Sequence, residues 1–208
     1  MGHRLEFYAV DIREFGGILG AGNRKLLDRV QKDGLPQLLT PQPNRANTLL
    51  RETQDSLTGL LMSEEGRRIG ARASGTAKSE VEEVPAPVAF AIVGIVRAVG
   101  QFIGALTHRS HAGNYFRREF LGREARLGLK SPVDLLALVD RPLLNVAHSG
   151  FPCWGGLSGG EVRLIVDGRR VEDMPTLKNP ESGKLLYELW GILSASRSFN
   201  KDMVTVYL

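Results

Sequence analysis

The sequence predicts an α+β fold, a mostly helical single domain with a small sheet that includes an N-terminal and a C-terminal strand. Three observations carry this expectation. Leu5-Glu6-Phe7-Tyr8-Ala9-Val10 near the start is rich in β-formers, and Met203 to Leu208 at the end is β-branched and aromatic. Between them, apolar residues recur at helical spacing, most clearly Leu185, Leu186, Leu189, Trp190 and Leu193 within Glu181 to Arg197. Pairing Leu5–Val10 with Val204–Tyr207 then gives a sheet covered by helices.

The 208 residues suffice for one domain over 1–208. At 42% hydrophobic and 24% charged, the composition excludes a disordered tail, a collagen-like chain and a coiled coil. One cysteine, Cys153, makes no internal disulfide and suits a reducing compartment. Met1 to Tyr8 has no apolar run after a basic start, so no secretory signal and a cytoplasmic location are expected.

Taken in order, the first strand feeds a helix capped by Asp11 with Glu14 three residues on, and Gly20 ends it. Asn23 to Lys32 is helical until Gly34 and Pro36 stop it. Thr40-Pro41-Gln42-Pro43-Asn44 is a connector, and Thr48 to Arg68 carries leucines at helical spacing. Residues 69–79, small and polar, form a mobile loop.

A long apolar helix starts near Pro87 and runs to about residue 107. Its stretch 86–106 has the length of a single membrane span, the minor alternative, but Arg97 and Gln101 interrupt it and a buried helix is preferred. Tyr115 to Leu121 is a short helix, and Ser131-Pro132-Val133-Asp134 opens another with a capping Ser and an N1 Pro. Ser158 caps a helix running to about Val166, closed by Asp167-Gly168.

Gly156-Leu157-Ser158-Gly159-Gly160 matches the G-x-S-x-G elbow, but every histidine precedes Ser158, and Ala147 to Trp154 is too rich in Gly and Pro for a core strand. The same segment echoes an ABC-type ATPase signature, which needs a Walker A loop absent from this chain. His108, His111, His148 and Cys153 contain metal-ligating types, yet nothing joins the two pairs, and the histidines at 108 and 111 read as polar residues at a helix end. No catalytic, cofactor or metal set follows.

Formal charge is +4. Arg97, Arg109, Arg117, Arg118, Arg123 and Arg126 against Glu119 and Glu124 place that whole surplus in one window, interleaved with Tyr115, Phe116 and Phe120. Phe151 and Trp154 lie in a Gly/Pro-framed loop, where aromatics anchor a partner or plug a core.

Leu5 to Asp11, Gly20-Ala21-Gly22-Asn23-Arg24-Lys25-Leu26-Leu27, Phe151 to Val162 and Asp202 to Tyr207 together resemble an uncharacterised bacterial family of small cytosolic proteins. It is related to the YfbM-like domains of unknown function. The resemblance implies an α+β fold with an apolar helical core, no catalytic residues to carry over, and partner binding of the immunity kind.

The expected function is therefore a cytoplasmic protein-binding module with no evident catalytic activity. Arg109, Arg117, Arg118, Phe151 and Trp154 would meet an acidic protein partner. Two alternatives stand beside it: a small-molecule enzyme with a pocket near residues 151–158 and a reactive Ser158 or Cys153, and a nucleic-acid-binding protein.

Overall fold

The structure is a computed structural model that describes residues 3–39, 46–72, 80–108, 115–168, 177 and 179–208. In chain order its elements are β1 (His3–Val10), α1 (Ile12–Ile18), α2 (Arg24–Arg29), a π-helical turn (Val30–Gly34), α3 (Leu35–Leu39), α4 (Ala46–Met62) and α5 (Glu64–Ala71). There follow β2 (Glu82–Glu83), α6 (Ala86–Val99), β3 (Gln101–His108), a π-helix (Tyr115–Ala125), α7 (Arg126–Gly128), α8 (Ala137–Asp140) and β4 (Val146–Ala147). The last elements are β5 (Cys153–Leu157), α9 (Gly159–Asp167), α10 (Pro180–Arg197) and β6 (Asp202–Tyr207). The fold is α+β, 60% helical, with a small antiparallel sheet that includes β1 and β6.

Two compact units divide the chain. The first comprises Met1–Ala9, Phe102–Arg141 and Trp154–Leu208. Its sheet has the order β3-β1-β6-β5, so the first and last strands are the two central ones. They meet through Arg4 N–H to the Leu208 carbonyl at 2.9 Å and Leu208 N–H to the Arg4 carbonyl at 2.8 Å. Leu5 and Phe7 of β1 and Met203, Val206 and Tyr207 of β6 are fully buried, as are Leu186, Leu189 and Leu193 along α10. The carboxylate of Glu6 is also buried; it accepts from the Tyr8 hydroxyl at 2.7 Å and pairs with Arg4 at 3.0 Å.

Three expectations change here. The apolar segment after Val99 is strand, not helix: Gly100 is extended and its N–H closes α6 on the Val96 carbonyl at 2.8 Å, after which Phe102 and Ile103 continue as β3. No helix opens at Pro132, because the Ser131 hydroxyl folds into its own turn. It accepts from Val133 N–H at 3.1 Å and donates to the Val133 carbonyl at 2.9 Å, and α8 starts only at Ala137. Residues 153–157 are a strand despite their glycines. A Cβ at Gly155 would sit 2.2 Å from the Ala137 carbonyl oxygen and one at Gly156 2.4 Å from that of Met203, so glycine is what lets β5 lie there.

The second unit, Val10–Gln101 with Pro142–Cys153, is built on helices. All residues of α6 from Ala89 to Val96 are buried, and α4 presents Thr53, Leu57, Leu60 and Leu61 on one buried stripe. Asp11 caps α1 by accepting from Arg13 and Glu14 N–H. The stretch read as one helix to Arg68 is two, broken at Ser63, which caps α5 through Gly66 N–H at 3.3 Å. Gly34 and Pro36 do not stop the helix: a π-helical turn widens the coil just before the proline and accommodates its missing donor. β2 and β4 form a short parallel pair, Glu82 opposite Val146. Of the expected mobile loop 69–79, Ile69, Gly70 and Ala71 belong to α5 and Arg72 is its C-cap, while 73–79 lies outside the described residues. Among the described residues no helix is long and apolar enough to cross a membrane.

Two glycine replacements separate packing from propensity. Gly155→Ala should destabilise the chain by about 3 kcal/mol in urea melts, since the three atoms nearest the new methyl are all backbone. Gly191→Ala, exposed in mid α10 with nothing within 4 Å of its Cβ, should add about 0.5 to 1 kcal/mol.

Candidate functional site

The basic window folds as one helical run, the π-helix Tyr115–Ala125 continued by α7. Its inner side is fixed by Phe116, Phe120, Leu121, Ala125 and Leu129, all buried. Gly128 lets α10 approach closely; a Cβ there would lie 2.6 Å from Leu186 Cδ2. The run ends with Leu129 N–H on the Ala125 carbonyl at 2.8 Å and Lys130 in the left-handed region at φ 46°.

Its outer side carries Arg118, Glu119, Arg123, Arg126, Leu127 and Lys130, all exposed. Leu127 is 68% exposed, a large apolar side chain in the middle of three cations. Arg118, Arg123, Arg126 and Lys130 make no side-chain hydrogen bond or ion pair among the described residues. Elsewhere among the described residues Arg68 pairs with Glu65, Arg141 with Glu161 and Arg197 with Asp167, whereas Arg13, Arg24 and Arg51 are exposed and, like the cations of this run, make no side-chain hydrogen bond or ion pair.

The expected site residues distribute unevenly. Arg117 is half-buried and neutralised by Asp140, whereas Arg118, next to it, is open. Trp154 is 4% exposed in β5, a core residue of the first unit. Phe151 is 50% exposed and belongs to the second unit, and Arg109 lies outside the described residues. Sequence reading missed Leu127 and Lys130; the signal was present in the polar residues at 123, 126 and 130 flanking a leucine.

Ser158 does sit on a strand-to-helix turn, between β5 and α9, but without the chemistry of an elbow. Its backbone is ordinary, φ −64° and ψ 154°, and its hydroxyl accepts from Glu161 N–H at 3.2 Å while the Glu161 carboxylate takes Ser158 N–H at 2.8 Å. That is a capping box. Arg141 forks onto the same carboxylate at 2.6 and 2.8 Å and holds it down at about 2, aided by the Ser158 amide and against the cost of burial. The end of α9 is thus filled by the chain itself. Cys153 is buried.

His108 is not at a helix end. It closes β3, 2% exposed, with its ring stacked on Phe116 at 4.1 Å and 5° and its Nε2 2.9 Å from the Tyr207 hydroxyl. His148, in the second unit, donates from Nδ1 to the Val84 carbonyl at 2.8 Å, and His111 lies outside the described residues. Among the described residues no three His, Cys, Asp or Glu gather as a metal site.

Two measurements check the Ser158 cap. Ser158→Ala should cost about 1 kcal/mol of stability, and a serine-directed electrophile should leave the native residue unlabelled. Because the Glu161 carboxyl is lowered in the fold, its contribution is complete above its ordinary 4.5 and is lost as pH falls through about 2. Arg141→Met should flatten that part of the acid limb of a stability curve, by on the order of 1 kcal/mol after solvent screening. Compared with family models, with curated proteins and with solved structures, the chain finds no match.

Proposed function

We propose that this chain is a cytoplasmic protein-binding module that captures an acidic partner through the helical run 115–130. The observation that carries the reading is the exposed Leu127 among Arg123, Arg126 and Lys130, with Arg118 exposed on the same run, four cations that have no side-chain partner among the described residues. An apolar anchor ringed by charge is the anatomy of a small recognition surface, where the ring sets the approach and the anchor holds. Trp154 is left out of that surface by burial. The capping role of Ser158 and the burial of Cys153 weigh against the small-molecule enzyme.

Helix electrostatics alone leave part of the pattern unexplained. Cations at the C-terminal end of a helical run are stabilised by its dipole, by about 0.3 to 1 kcal/mol, which accounts for Arg126 and Lys130. Arg118 stands in the first turns, where the dipole opposes a positive charge, and it has no ion-pair partner among the described residues. A recognition role supplies a reason for that placement. Nucleic acid would instead want aromatic rings open for stacking, and Phe116 and Phe120 are buried.

The test uses that asymmetry. Arg118→Glu should leave stability unchanged or raise it by up to about 0.5 kcal/mol, while Arg126→Glu should lower it by a similar amount. Both should weaken capture of the same protein from nuclease-treated lysate of the source cells, by about tenfold at low salt. A captured protein retained equally by both variants would overturn the reading, as would a prey that disappears on nuclease treatment.

A further inference from the structure

The aromatic enclosure around His108 has a feature that partner binding does not use. His108 Nε2 meets the Tyr207 hydroxyl, but Nδ1 is buried with no hydrogen-bond partner among the described residues. Hydrogen-bond bookkeeping then selects the tautomer. A buried N–H without an acceptor is costlier than a bare lone pair, so the proton belongs on Nε2, donated to Tyr207, and Nδ1 stays unprotonated. Phe116 from the π-helix covers one face, His3 from β1 stacks at 5.4 Å, and Tyr207 from β6 lies at 5.8 Å between ring centroids.

We propose that His108 is an acid-operated latch on the π-helix: neutral, it joins the end of β3 to Tyr207 and Phe116, and protonated at Nδ1 it releases the first turns of that helix. The proton taken up at Nδ1 comes from solvent, and no other bond changes. It creates an N–H with no acceptor and a positive charge inside an apolar stack.

The charged groups bearing on His108 act in opposite directions. Burial is the largest influence and His3 adds to it, both disfavouring the cation, while Glu181 at the start of α10 favours it. The balance lowers His108 from its ordinary 6.5 to about 4. The unfolded chain therefore takes up this proton first. The contribution of His108 to folding is complete above about 6.5, is lost as pH falls from there to about 4, and changes no further below. Most of that window lies above the one, from 4.5 down to about 2, in which the Glu161 contribution is lost, so the two acid events differ in midpoint.

The experiment is an NMR titration of the wild-type chain from about pH 7.5 to 3.5. The His108 ring nitrogens report protonation, and amide protection factors, corrected for intrinsic rates, report residues 116–125. Protection there should fall about tenfold with a midpoint coincident with ring protonation, while α9 and α10 keep theirs. In His108→Phe, which keeps the stack and cannot titrate, protection of 116–125 should not change across the same range. Three results would overturn the latch: ring and protection midpoints more than about one pH unit apart, a ring that protonates with the helix intact, or the same loss in His108→Phe. The first two need only the native chain, so they decide the question even where the variant does not fold.

Discussion

Everything in the first unit depends on the pairing of β1 with β6. These strands come from opposite ends of the sequence, and each is the only bridge to an outer strand, β3 beyond β1 and β5 beyond β6. Closing so long a loop costs entropy that grows slowly with length and is recovered only when the ladder and the apolar face form together. α10 then covers buried residues of that unit, and through Gly128 and Leu186 it seats the helical run that carries the exposed cations. The Glu6 carboxylate in β1 is tolerated because Tyr8 and Arg4 satisfy it within the same strand. A break in the β1–β6 pairing would therefore be felt at a surface formed by residues far from either strand.

What could be read from the residues was local. Asp11 and Ser158 cap the helices they were expected to cap, and the leucine stripe of α10 is buried as its spacing requires. The errors share a cause. Hydropathy does not distinguish a buried helix from a buried strand, so Phe102 to Leu106 looked like more of α6, although a single extended Gly100 ends it. The Gly and Pro of Ala147 to Trp154 argued against a core strand, whereas β5 begins at Cys153 and its own Gly155 and Gly156 make room for the Ala137 and Met203 carbonyls beside them. Such neighbours lie outside any sequence window. His108 was misplaced with the strand that holds it.

The candidate surface was legible in charge and not in pairing. The arginine-rich window is where the open cations are, but Asp140, which removes Arg117 from the set, lies more than a helix away in sequence. Leu127 passes in sequence for one more core leucine. Only the wide coil of the π-helix running into α7, with Phe116, Phe120 and Leu121 turned inward, leaves it outside among the cations.

That same helix brings three otherwise unconnected features to one element. A π-helix of eleven residues is a rare departure from α-helical geometry, and this one buries Phe116, Phe120, Leu121 and Ala125. It carries exposed positive charges that repel one another with no carboxylate partner among the described residues for Arg118, Arg123 or Arg126. Its first buried ring, Phe116, rests on a histidine whose neutral form the enclosure requires. The last two lower the local free energy of opening while the sheet beneath, hydrogen-bonded strand to strand, stays fixed. If the two proposals hold, capture of an acidic partner, which would neutralise the cations, and loss of a proton from His108, which would restore the stack, would act on this one element in the same direction.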